Sequence, residues 1–290
     1  LERLGKVVIV GVGLIGGSIG LALRTRGLAC RVTGVGRQLR TLEQAKLRGA
    51  IDEATTELAE AVDGAEVVAI CTPVSQIPEQ VRRAAEAAPR GALITDAGST
   101  KRTIVEAAEV HPAGAGLFVG AHPIAGSERS GSGHSRADLF EGRVCALTPT
   151  PRTPSDRLHR AREFWRSLGC RLVEMSPSEH DEVLAVTSHL PHAVAAALAA
   201  AVPMEWQALA GGAYRDVTRV AGAETGLWTA IFRDNRGPLL KAIGSFQDRI
   251  AALKYALMTD DEEAIRRWWD EGRQRRELFE SRQFDSSREP

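Results

Sequence analysis

The chain carries no surplus of either charge: Lys and Arg together number 37, and so do Asp and Glu. A balanced surface sets up no global field to gather nucleic acid or an acidic membrane, so any anionic ligand has to be held by local charges. Cysteine is sparse. Cys30, Cys71, Cys145 and Cys170 stand far apart with no CxxC pair, which speaks against a zinc site and leaves the expectation of reduced, buried packing thiols. Long apolar runs are missing as well: the longest, Ala193 to Val202, is ten residues, against the roughly 18 to 20 that a helix needs to cross a bilayer. No signal peptide precedes the first apolar run, the start at Leu1 points to a trimmed terminus, and a cytoplasmic location is expected. Neither an internal repeat nor a low-complexity segment is apparent. What remains is an ordinary globular composition, 43% hydrophobic and 26% charged over 290 residues, long enough for two domains.

The most informative stretch is Val7-Val8-Ile9-Val10-Gly11-Val12-Gly13-Leu14-Ile15-Gly16-Gly17-Ser18. It reads as a buried strand running into a glycine turn and a helix. Gly11 permits the tight turn, Gly13 lets backbone N–H groups approach a pyrophosphate, and Gly16 lets the helix pack closely on the strand. Leu14 and Ile15 open that helix, whose N-terminus faces the phosphates with its partial positive charge. The strand before the motif and the run Ile19-Gly20-Leu21-Ala22-Leu23 after it make a dinucleotide site the expectation.

From the N-terminus to about Met175, β-branched runs alternate with helical stretches, the pattern of a parallel sheet with crossover helices. The expected strands are Lys6 to Val10, Arg31 to Val35, Glu66 to Cys71, Ala92 to Asp96, Phe118 to Ala121, Val144 to Thr148 and Arg171 to Glu174. Ligands bind at the C-terminal ends of such strands, and here those ends carry Gly11, Gly36-Arg37, Thr72-Pro73, Asp96-Ala97-Gly98-Ser99 and His122-Pro123. Ser176-Pro177-Ser178-Glu179 then has the form of a capping box, and only helical signals follow, among them Leu239, Leu240, Ile243, Phe246, Ile250, Leu253 and Leu257. The reading is an α/β Rossmann-like dinucleotide-binding domain over residues 1–175 and an all-α domain over 176–290 for substrate binding and dimerisation. The charged stretch from about Arg273 lacks an apolar face and is expected to be a frayed tail.

An NAD site of this kind closes its second strand with a carboxylate that binds the ribose 2′-hydroxyl. Here the position reads Gly36-Arg37-Gln38. With no carboxylate to repel a 2′-phosphate and a guanidinium able to grip it, NADP is favoured, while NAD stays possible, with Arg37 stacking on adenine or pointing into solvent.

Three further segments are unusual together: Asp96-Ala-Gly-Ser99-Thr-Lys101, His122-Pro-Ile-Ala-Gly-Ser-Glu128 and Ser188-His189-Leu-Pro-His192. With Tyr214-Arg215-Asp216-Val217-Thr218-Arg219-Val220-Ala221 and Trp228, the chain resembles the prephenate and arogenate dehydrogenase family of tyrosine biosynthesis over almost its whole length. The resemblance implies an oxidative decarboxylation, in which the ring C4 hydroxyl of prephenate is oxidised by hydride transfer to the nicotinamide while the C1 carboxylate leaves as carbon dioxide. It gives His122 the role of taking up the hydroxyl proton, and Ser99 a hydrogen bond near that hydroxyl and the nicotinamide. Ser99 reads equally as an N-cap for the following helix. His192 becomes a substrate or orientation residue, and Arg219 the fork for a substrate carboxylate, with Asp216 one turn earlier to pre-set it.

His189 stands between a substrate role and that of a satisfied interior histidine, and Glu128 between a gate and a solvated loop carboxylate. Pro191 is expected to bend the helix that carries the histidines. No third ligand stands near the pair to make a metal site. Arogenate remains the alternative substrate; a β-hydroxyacid dehydrogenase lacks its usual lysine here, and a non-catalytic cofactor sensor would have to have lost residues that are present. Apolar residues of the helical half, including Trp206, Leu227, Trp228, Ile231, Phe232, Leu239, Leu240, Trp268 and Trp269, exceed what one thin layer needs and point to a homodimer.

Overall fold

The computed structural model describes residues 3–125 and 131–286. Its frame is an eight-stranded sheet in the order β3-β2-β1-β4-β5-β6-β7-β8. The strands are β1 (Leu4–Val10), β2 (Ala29–Val35), β3 (Glu53–Thr55), β4 (Val67–Ile70), β5 (Leu93–Asp96), β6 (Phe118–Pro123), β7 (Val144–Thr148) and β8 (Arg171–Glu174). All seven expected strands are present, within a few residues. β3 was not foreseen, because three residues are too short to show a period. Every pairing is parallel except β6 with β7. No crossover helix is described between those two, and without one the chain returns antiparallel.

Side chains of a strand alternate between faces, so a sheet covered on both sides builds two cores. Val7 and Ile9 of β1 join Val67 and Ala69 of β4 in one, whereas Val8 and Val10 join Val68 and Ile70 in the other. Helices α1 (Leu14–Thr25), α2 (Leu39–Leu47), α3 (Leu58–Val62), α4 (Ile77–Ala87), α5 (Arg102–Val110), α6 (Pro112–Leu117) and α7 (Ser155–Ser167) connect the strands and cover the sheet. Packing is tight where α1 crosses the chain: a Cβ at Gly20 would strike the Ala50 carbonyl oxygen.

After β8 the chain is helical: α8 (Pro177–Leu184), α9 (Leu190–Ala201), α10 (Gly212–Thr218), α11 (Thr225–Asp234), α12 (Arg236–Met258) and α13 (Glu262–Ser286). The capping box forms, with Ser176 Oγ accepting the Glu179 N–H at 3.1 Å. A π-helical turn over Ala185–His189 joins α8 to α9 just ahead of Pro191. The widened turn puts Pro191 at the start of α9, where its missing N–H costs nothing. The resulting helix, Pro177–Ala201, runs 25 residues and is long and apolar enough to cross a membrane by length and composition, which run length alone did not reveal. Three of its polar residues nevertheless turn into the protein's own interior: His180 and His189 are wholly buried and Asp181 nearly so.

By compactness the chain forms two units, Leu1–Leu239 and Leu240–Pro290. The helices as far as α11 belong with the sheet, because Ile231 enters the second core and Asn235 is bonded to Asp181. In the smaller unit, α13 continues through Ser286 instead of fraying at 273. Its helix needs no apolar face there, since Arg273 pairs with Glu277 and Arg276 with Glu280 at i,i+4 spacing. Arg249 grips Glu271 with both guanidinium nitrogens, tying α12 to α13. Of the cysteines, Cys145 and Cys170 are buried as expected, Cys71 is half-buried, and Cys30 is exposed. Cys30 sits near the edge of β2, where its side chain faces away from the core.

Candidate active site

A pocket of about 450 Å³ opens where the ends of β1, β2 and β4 meet, the point at which strand order reverses. The three glycines of the turn do different work. Gly11 adopts φ +89° and a Cβ there would meet the Cys71 carbonyl oxygen at 2.9 Å. At Gly16 a Cβ would strike the Gly11 carbonyl oxygen, so that glycine serves helix packing. A Cβ at Gly13 would meet nothing within 4 Å, leaving bare backbone facing open space. Gly13 is also the N-cap of α1, whose first turn holds neither a side-chain cap nor an acidic residue. An uncapped, unopposed helix N-terminus beside a bare glycine cradle fits a pyrophosphate.

Among the expected coenzyme residues, Gly11, Gly13, Gly36, Arg37, Thr72 and Pro73 line this pocket, while Leu14, Ile15, Gly16 and Ser99 do not. Ile15 packs against the first core instead. Sequence reasoning missed Gln76, Gln80, Arg83 and Ser132. Arg83 brings a second guanidinium to the cavity from α4, and no motif marks a residue that reaches the pocket from the middle of a helix.

A second group of residues gathers at the ends of β5 and β6. Asp96 closes β5 fully buried, pairs with the equally buried Lys101, and accepts the N–H groups of Gly98 and Ala121, each at 2.9 Å. One carboxylate thus holds the turn that carries Ser99 and the residue just before His122. Ser99 is half-buried and does not cap α5. The cap comes from 80 residues away: Asp181 accepts the Lys101 N–H at 2.8 Å and the Arg102 N–H at 3.0 Å.

His122 is buried on β6 with Nδ1 2.9 Å from His180 Nε2, and His180 Nδ1 is 2.8 Å from Asp181 Oδ1. Burial pushes the His122 imidazole well below its ordinary pKa of 6.5, reinforced by His180, Lys101 and His189, so it is neutral at physiological pH. Burial likewise lowers His189 to about 4. Its Nδ1 lies 3.0 Å from the Asn235 amide nitrogen, and its buried Nε2 has no partner among the described residues.

The His192 ring stacks on Trp228 with centroids 3.6 Å apart, and its Nδ1 donates to the Ser188 carbonyl at 2.9 Å. Trp228 also meets His189 edge to face at 6.0 Å. Burial lowers the His192 pKa, and the positive charge of Arg219 adds to the shift. His122 is thus linked through His180, Asp181 and Asn235 to His189, and through Trp228 to His192. Asp216 lies on α10, immediately before the turn that starts at Arg219. Glu128 lies outside the described residues. The sequence analysis missed His180, Asp181 and Asn235, whose spacings carry no signature.

Two family models meet this geometry. Residues 19–174 match the prephenate dehydrogenase nucleotide-binding domain and 176–271 the prephenate dehydrogenase dimerization domain. The chain belongs to the prephenate dehydrogenase family. It is 32% identical over 285 residues to the prephenate dehydrogenase of Bacillus subtilis, covering 96% of this chain and 76% of that one. The crystal structure of prephenate dehydrogenase from A. aeolicus in complex with hydroxyphenyl propionate and NAD+ is similar at 33% identity and a TM-score of 0.89, over 96% of this chain and 99% of that one. Arogenate dehydrogenase from Synechocystis is similar at 31% identity and a TM-score of 0.80, over 94% and 99%. The prephenate dehydrogenase fold, a nucleotide-binding α/β sheet followed by helices, is thus the one expected from the sequence.

Proposed function

We propose that this protein oxidatively decarboxylates prephenate to 4-hydroxyphenylpyruvate. The observation that carries the reading is a neutral, buried His122 linked through His180, Asp181 and Asn235 to His189 and the Trp228–His192 stack, in the same compact unit as a glycine-cradled nucleotide pocket. The nicotinamide coenzyme, when bound, supplies the acceptor for the hydride that leaves ring carbon C4. His122 takes the proton of the C4 hydroxyl, a form of general base help worth about 10² to 10⁴ in rate. As the C1–carboxylate bond breaks, its electron pair passes into the ring to make the phenolate, and His122 returns the proton. Ser99 orients the hydroxyl. Arg219, pre-set by Asp216, holds a substrate carboxylate with His192, whose ring is fixed by Trp228.

We assign NADP as the favoured coenzyme, with NAD the alternative, because Arg37 lines the pocket at the end of β2, no carboxylate lines it among the described residues, and Arg83 adds a second guanidinium. A homodimer is supported by the description of the matched dimerization domain and by the exposure of Trp206, Leu227, Leu240 and Trp269; Ile231 and Leu239 are instead buried within the chain. Cytoplasmic residence goes with a biosynthetic role of this kind.

Absorbance at 340 nm tests the function: the purified protein with prephenate and NADP is expected to reduce the coenzyme and release carbon dioxide in equal amounts. A specificity constant more than tenfold higher for arogenate would replace the substrate, and silence with both substrates and both coenzymes would leave a sensor.

A further inference from the structure

The sequence assigns no role to His180 and Asp181, yet both are buried and both lie directly behind His122. Hydrogen-bond logic orders the protons along this row. Asp181 accepts backbone N–H groups on both oxygens, from Lys101 on Oδ1 and Arg102 on Oδ2. A carboxylate in that position can only accept. His180 must therefore present Nδ1–H to Asp181 Oδ1, which leaves His180 Nε2 with its lone pair. His122 then has to present Nδ1–H to His180 Nε2, and the lone pair of His122 is left on Nε2.

We propose that His180 and Asp181 are positioning residues that fix the His122 proton on Nδ1 and so present Nε2 as the acceptor for the substrate hydroxyl proton. This rests on His122 being the proton acceptor, and it explains how a buried imidazole is kept from the wrong tautomer. Asp181 has a second task in the same arrangement, since its two oxygens cap α5 just beyond the turn that carries Ser99. The residues flanking the reacting hydroxyl are thereby referred to one carboxylate. The charge that His122 gains during turnover faces His180 and, behind it, Asp181. Lys101 and His189 also face His122, and Lys101 is itself paired with Asp96.

The direct test is the tautomer. The full-length protein labelled with ¹⁵N-histidine is examined by long-range ¹H–¹⁵N correlation at neutral pH, with the His122 signals assigned by their loss in His122→Asn. A protonated Nδ1 and a bare Nε2 are expected; a protonated Nε2 would overturn the proposal whatever the enzyme's activity. This readout needs neither substrate nor coenzyme, so it fails separately from the functional reading, which is tested by turnover.

The second test is kinetic. His180→Phe keeps a ring in the buried site but offers no acceptor, and kcat is expected to fall about 100-fold or more with the substrate KM changed less than threefold. His180→Gln, whose carboxamide oxygen can accept from His122, is expected to recover at least tenfold of that loss. Equal losses in the two variants, or a kcat within threefold of the unaltered protein in His180→Phe, would reduce these residues to packing. Should His180→Phe fail to fold, the tautomer measurement on the unaltered protein still decides.

Discussion

Replacing Gly13 by alanine separates the demands of the ligand from those of the fold. The backbone there has φ −89° and ψ −151°, which any residue adopts, and the added methyl would meet nothing within 4 Å. Two small effects on stability oppose each other. Alanine lowers the entropy of the unfolded chain by about 0.4–1 kcal/mol in free-energy terms, while it is a poorer N-cap than glycine by a few tenths or more. The thermal midpoint should therefore hardly move. Binding is different, because a pyrophosphate oxygen must come within about 3 Å of backbone N–H groups at this point.

A methyl on the open side would push that oxygen away, and losing one hydrogen bond to a charged group costs about 1.5–3 kcal/mol. That converts to roughly a 10- to 150-fold weaker coenzyme affinity. Fluorescence titration with NADP and NAD, beside a thermal melt, reads both quantities. Gly16→Ala is the control: its methyl would strike the Gly11 carbonyl, and a loss of about 1–3 kcal/mol of stability is expected from such overpacking. Unchanged coenzyme affinity in a well-folded Gly13→Ala protein would refute the assignment of the cradle.

Other substitutions probe the chemistry. Lys101→Met leaves Asp96 buried without its cation, and since breaking one side of a buried pair costs about 3–5 kcal/mol, chemical denaturation should show a loss of that order. The same change removes a positive charge that depresses His122, so the acid limb of the pH–rate profile should shift to higher pH. Arg37→Ser is expected to raise the KM for NADP about tenfold or more while leaving that for NAD nearly unaltered, measured by initial rates. Stability should depend on acid in a defined window. His189 is held at about 4 against an ordinary 6.5, so between those values the unfolded chain binds the extra proton; stability is full above the window and falls, by about 3 kcal/mol for this group, as pH drops from 6.5 toward 4. Denaturant midpoints at pH 7 and pH 5 check the sign.

The sheet was legible because each strand repeats a local rule. Val7 to Val10 are apolar without a break since both faces of β1 are covered, and the glycines that follow have no other economical use. Position-by-position reading worked wherever a residue's role follows from its own backbone, as at Gly11 or at the Ser176 cap. It fails for α13, where the lack of an apolar face reads as a frayed tail while the helix continues, with Arg–Glu pairs at helical spacing running through Glu280.

Relations across long sequence separations were out of reach for a different reason. His122 was identifiable because it stands at the end of a strand next to proline, in a motif with its own local shape. Its supports were not: His180 and Asp181 are neighbours on an amphipathic helix, where a buried polar pair and a solvated one look the same in sequence. Only the fold shows that Asp181 reaches back 80 residues to cap α5 while orienting the ring that orients His122. A capping carboxylate is normally supplied from within the first turn of its own helix. α5 has no such side chain, and its N-cap, Lys101, is spent on Asp96. In the sequence Ser99 stands where a local cap would; in the fold the first N–H groups of α5 go instead to Asp181, and a buried carboxylate held in that way beside a histidine gains a fixed position from which to direct a proton.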